Sequence, residues 1–145
     1  METQTVIPLP GSTLVHSSLH HLIKEVTESL APDVFRNKSA IINDVPHDII
    51  VSTEKELLAS VLSSLMNLVI MHTENSRIRI TAKLYGNVVL LHVKDDGCLN
   101  YDSISQRLAR IQSLAERLGG FVGFTSYRNK LTTIAFSFMN TAGSF

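Results

Sequence analysis

Cysteine is nearly missing from this chain: Cys98 is the only one in 145 residues. A lone thiol excludes an internal disulfide and fits a reducing compartment, so a cytoplasmic location is expected. An excess of charge is missing as well. Thirteen basic and thirteen acidic residues cancel, which leaves no overall field to attract nucleic acid or an anionic membrane surface. No apolar run reaches the ~18 residues of a membrane span, and Met1–Gly11 has neither the basic start nor the apolar centre of a signal segment. Glycine is absent between Gly97 and Gly119. That absence excludes a glycine-rich, phosphate-cradling loop from this stretch.

What is present is a chain 44% hydrophobic, enough to build one core without disulfides or metal. The expected organisation is an extended lead-in at 1–12, marked by Pro8, Pro10 and Gly11, a single domain over 13–140, and a short tail at 141–145. Leu19, Leu22, Ile23, Val26 and Leu30 recur at helical spacing behind Ser17, a candidate N-cap, until Ala31-Pro32. Ser39–Val45 and Ile49–Val51 are short β-prone runs, expected as a hairpin at a sheet edge. Thr53 with Glu56 reads as a capping box ahead of a helix in which Leu58, Val61, Leu62, Leu65, Leu68, Val69 and His72 form one stripe. Arg77–Leu84 alternates strictly, and Gly86-Asn87 turns it into the apolar run Val88–Val93. Ile104 to Leu118 predicts a third helix closed by Gly119-Gly120, followed by strands at Phe121–Ser126 and Leu131–Phe138. The order predicts an α/β (α+β) two-layer sandwich: a mixed, mostly antiparallel sheet covered on one face by three helices.

Three segments carry a resemblance. They are the leucine-rich helix ending in His72-Thr73, the strand end Val93-Lys94-Asp95-Asp96-Gly97, and Ala115-Glu116-Arg117-Leu118-Gly119-Gly120 with a strand and Ser126 behind it. In this order they resemble the ATP-binding domain of sensor histidine kinases, the GHKL or Bergerat fold, over roughly residues 14–139.

The resemblance implies a nucleotide site whose parts can be located one at a time. Counting back from His72-Thr73, the family's Mg²⁺-coordinating Asn falls on Leu68 and the polar residue one turn earlier on Ser64. Leucine cannot ligate Mg²⁺, which takes oxygen donors. Asn67 is adjacent, but ~100° of helical rotation predicts that it points elsewhere. In the Asp-x-Gly-x-Gly segment, Asp95 and Gly97 match while Leu99 replaces the second glycine; Asp95 would be the acceptor for the adenine amino group. The closing Gly-Thr is matched by Leu131-Thr132, so bulky side chains at 99 and 131 are expected to crowd the cavity. Asp95, Gly97, Asn67 and Thr132 are thus a remnant nucleotide pocket. No catalytic residue and no metal site is assigned, and no cofactor is expected.

Each of these residues also has an ordinary reading. Asp95 is equally a turn former before glycine, and Asn67 a solvated helix residue. His16 and His20 are four apart, which would suit a metal only if the first helix began early and a third ligand existed. His72 and Cys98 read as structural and inert. Arg107, Arg110 and Arg117 form a solvated face or a docking surface for an acidic partner.

The resemblance therefore implies a histidine-kinase-like domain of a two-component signalling protein, impaired toward Mg·ATP and serving as a protein-interaction module for a response regulator or kinase partner, with a homodimer compatible. The alternative is a working ATP-binding catalytic domain of a sensor histidine kinase or an anti-sigma-factor serine kinase, with ATP and Mg²⁺ as cofactors. A generic α/β binding domain is a third reading.

Overall fold

The computed structural model describes residues 14–97, 101–127 and 131–140. The lead-in at 1–12, the tail at 141–145, Cys98 and Leu99 lie outside them. In chain order the elements are β1 (Leu14–Ser18), α1 (Leu19–Ser29), α2 (Ala31–Arg36), β2 (Ala40–Asn43), β3 (Ile50–Glu54), α3 (Lys55–Met71), β4 (Arg77–Tyr85), β5 (Val88–Asp95), α4 (Tyr101–Glu116), β6 (Phe121–Tyr127) and β7 (Leu131–Met139).

The main sheet has the order β2-β4-β5-β7-β6, with β2 parallel to β4 and every other pair antiparallel. Period-two alternation decides its two faces. Ile78, Ile80 and Ala82 of β4, Val89, Leu91 and Val93 of β5, and Ile134, Phe136 and Phe138 of β7 are buried in one cluster with α1, α3 and α4. Arg77, Arg79 and Lys83 lie on the opposite face, exposed. This is the expected mixed, mostly antiparallel two-layer sandwich. Among the described residues no helix is long and apolar enough to cross a membrane.

The centre of the core is α3, which buries Leu57, Leu58, Val61, Leu62, Leu65, Met66, Leu68, Val69 and Ile70. Each fully buried aliphatic side chain contributes about 1.5–3 kcal/mol, so this helix cannot be moved without losing the domain. His72 ends it and its Nδ1 meets the Leu68 carbonyl at 2.9 Å, a structural role. The β4–β5 turn is the foreseen Gly86-Asn87 pair, with Gly86 at φ +59° and Tyr85 opposite Val88. Gly119, at φ +66°, follows α4 as the expected left-handed stop.

Several local expectations fail. Residues 39–51 make no hairpin, because β2 joins the main sheet beside β4 while β3 pairs antiparallel with β1 in a separate two-stranded sheet. Thr53 caps nothing: it sits within β3 opposite Val15, and Glu54 precedes α3 without a side-chain cap bond. The cap of α1 is Ser18, whose hydroxyl accepts the His21 N–H at 3.3 Å, rather than Ser17. The first helical run does stop ahead of Ala31-Pro32 as expected, and Pro32 then lies in the first turn of a second short helix, where a missing N–H costs nothing. Asn140 ties the small sheet to the large one, accepting the Ser52 N–H at 2.6 Å and donating to the Ile50 carbonyl at 3.0 Å.

Candidate functional site

The alternation that buries Val89, Leu91 and Val93 continues to Asp95, so the last residue of β5 turns a carboxylate into the helix-covered side of the sheet. Asp95 is 1% exposed. Its register partner on β7 is Thr132, also 1% exposed, and on β4 it is Ile78. Among the described residues, neither carboxylate oxygen has a partner of full hydrogen-bonding geometry. The Gly97 amide and the Ser76 hydroxyl face the group without closing a full bond, since the Ser76 Oγ donates instead to the Glu74 carbonyl at 3.2 Å. Burial raises the Asp95 pKa above its ordinary value; Gly97 and Ser76 oppose that shift, and the neighbouring Asp96 charge adds to it.

Gly97 is held close to this carboxylate. A Cβ there would come within 2.7 Å of the Ser76 Oγ and 3.4 Å of an Asp95 oxygen. Asp96 points the other way, accepting the Arg77 N–H at 2.7 Å and keeping the loop in line with the sheet.

A cleft of about 420 Å³ opens between α3 and α4, lined by Ser64, Asn67, Leu68, Arg107, Arg110 and Ile111. Leu68 and Ile111 are buried, whereas Asn67, Arg107 and Arg110 are exposed at its mouth. Helical spacing explains the lining. Ser64 and Leu68 are one turn apart on α3, and Arg107, Arg110 and Ile111 share one side of α4.

No family model matches the chain. The sensor protein VanS of Enterococcus faecium is 28% identical over 94 residues, which are 64% of this chain and 24% of VanS, so the chain spans about a quarter of that relative. The likeness in three dimensions is broader. The Acinetobacter baumannii histidine kinase AdeS superposes with a TM-score of 0.75 at 13% identity, covering 88% of this chain and 67% of AdeS. Full-length ShkA in complex with AMPPNP gives 0.73 at 19% identity, covering 92% and 33% of the two chains. Histidine kinase ThkA in complex with the response regulator TrrA gives 0.66 at 19%, covering 88% and 42%. The fold is that of a histidine-kinase catalytic domain.

Within this Bergerat fold the four sequence-predicted pocket residues fall into two groups. Asp95, Gly97 and Thr132 come together at the end of β5, while Asn67 borders the α3–α4 cleft. Asn67 does not turn away from Leu68 as expected, because the cleft is wide enough for residues ~100° apart on a helix to share it. Leu131 is a clearer correction. It is 39% exposed and lines a shallow hollow with Ile42, Arg77, Arg79, Lys94 and Asp96, on the open face of the sheet, so it crowds nothing beside Asp95. Alternation from the inward Thr132 already required this.

Of the two histidines, His16 belongs to β1 and His20 to α1, where the His20 ring lies tilted against that of His47 with centroids 3.8 Å apart and meets the Val45 carbonyl at 2.8 Å. Sequence reasoning missed Ser76, 4% exposed beside Asp95. Its only signal is the turn cluster Glu74-Asn75-Ser76, in which Asn75 takes φ +53°.

Proposed function

We propose that this chain is a histidine-kinase-like domain of a two-component signalling protein that does not handle Mg·ATP and acts by contacting another signalling protein, a response regulator or a kinase. The observation that carries this reading is Leu68, an aliphatic side chain 2% exposed at the floor of the α3–α4 cleft, where the resemblance calls for a metal ligand. Mg²⁺ needs a shell of oxygens. Here Ser64 and Asn67 offer neutral oxygens only, and Arg107 and Arg110 line the same cleft, so a divalent cation would enter against two like charges. The residues do not fit the metal, and no phosphoryl-transfer step is assigned to them. The ThkA–TrrA complex supports a response regulator as the class of partner.

One observation favours a second reading, the ATP-binding catalytic domain. The buried, unpartnered Asp95 carboxylate beside Thr132 suits an amino group such as adenine's, and ShkA carries AMPPNP in a related fold. Thermal unfolding with Mg·ATP and Mg·ADP separates the two. A ligand at ~100 times its Kd stabilises a protein by about 2.7 kcal/mol. No magnesium-dependent shift is expected, and a shift that requires magnesium would overturn the first reading in favour of the second.

A further inference from the structure

Among the described residues, the lining of the α3–α4 cleft has no carboxylate to hold a divalent cation but does not lack positive charge. Arg107 and Arg110 stand three residues apart on α4, a spacing at which like charges repel. No ion pair to either arginine occurs among the described residues, and no carboxylate is among the residues that line the cleft. Glu116, the acidic residue of the last turn, is engaged by Gln112 at 3.0 Å instead. The third arginine of this segment, Arg117, follows the helix and is not part of the lining. Across the cleft, α3 contributes the Ser64 hydroxyl and the Asn67 amide, both able to donate. Two guanidinium forks, a hydroxyl and an amide around an apolar floor of Leu68 and Ile111 make a set of donors with a net charge of the sign an oxyanion requires. Guanidinium forks match the paired oxygens of phosphate better than any other side chain.

We propose that this cleft is an oxyanion site that takes a phosphate-type group directly on Arg107 and Arg110, with no divalent cation. This rests on the reading that Leu68 has ended metal binding and extends it: the guanidiniums supply the charge that a cation would otherwise bring. The phosphate can belong to a free nucleotide or to a phosphorylated side chain of a partner protein, and the chemistry at the arginines is the same.

The test uses the full chain in EDTA, titrated with inorganic pyrophosphate and followed by calorimetry and thermal unfolding. Wild type is expected to bind, more weakly as salt rises, and Arg107→Ala with Arg110→Ala to lose at least about tenfold in affinity, while Arg117→Ala binds as wild type. All three positions are exposed, so the variants are expected to fold; circular dichroism and unfolding temperature check that they do. ADP in EDTA then identifies the source. Tighter binding than pyrophosphate, reduced by Asp95→Asn, assigns a free nucleotide; equal binding, indifferent to Asp95, assigns a phosphate presented by a partner. Absence of pyrophosphate binding with and without magnesium, or binding unaffected by the double Arg→Ala change, would overturn the oxyanion site and leave the proposed function standing. Binding that appears only when magnesium is added would overturn both.

Discussion

Asp95 on β5 and Thr132 on β7 are direct partners across the sheet, and both are buried on its helix-covered side. A carboxylate in that position is desolvated without full compensation, and the remaining behaviour of the site follows from it.

The first consequence is a stabilising substitution. Burial raises the folded-state pKa of Asp95 above 3.8, so the folded protein holds the proton more firmly than the unfolded chain does. The favourable contribution is complete below the unfolded pKa and is lost as pH rises through the folded one. Asp95→Asn is therefore expected to raise the unfolding temperature at neutral pH by about 2–4 °C, on the order of 1 kcal/mol. The gain should vanish on acidification below pH ~4. Scanning calorimetry of both proteins from pH 3 to pH 8 checks this, and a neutral-pH loss in the variant would mean that the carboxylate is already satisfied.

The open face of the sheet has the opposite pH dependence. Burial lowers the pKa of His92 below 6.5, and the charges of Lys94 and Lys83 lower it further. For a base with a depressed folded pKa, the contribution is present above the unfolded value and is lost as pH falls through the folded one. His92→Gln should accordingly flatten the decline in stability between pH 7 and pH 5, with little change at pH 8. Denaturant midpoints across that range provide the measurement; parallel curves for variant and wild type would contradict the assignment.

Two glycines differ in what surrounds them. A Cβ at Gly120 would run into the Ser137 carbonyl and lie 3.1 Å from that of Ala115, both fixed backbone atoms. At Gly97 the closest atom is the Ser76 Oγ, the end of a movable side chain. Gly120→Ala is expected to cost more than about 2 kcal/mol and Gly97→Ala less than about 1 kcal/mol. Equal midpoints in urea would show that the α4–β6 junction can relax.

The parts of this fold that sequence patterning predicts are local. The α3 stripe, the Gly86-Asn87 hairpin and the glycine stop after α4 each depend on residues a few positions apart. What patterning missed depends on distant partners. β2 reads as a short apolar run whether it pairs with its neighbour or, as it does, in parallel with β4; β3 likewise gives no sign that its partner is β1. The site divides in the same way. Leu68 is picked out by the resemblance, counted back from His72-Thr73, whereas the distinction between Arg107 and Arg110 on one hand and Arg117 on the other requires knowing which side of α4 meets α3. Leu131 was misplaced for a simpler reason: its motif position was read without the alternation that turns it outward.

The most direct test of the central claim places a paramagnetic divalent ion at the suspected site. Water-proton relaxation in a solution of Mn²⁺ and ATP responds when a protein immobilises the metal. Addition of this chain is expected to leave that relaxation unchanged, because the Leu68 side chain offers no oxygen and two arginines line the cleft. A marked enhancement, reversed by excess Mg·ATP, would contradict the account.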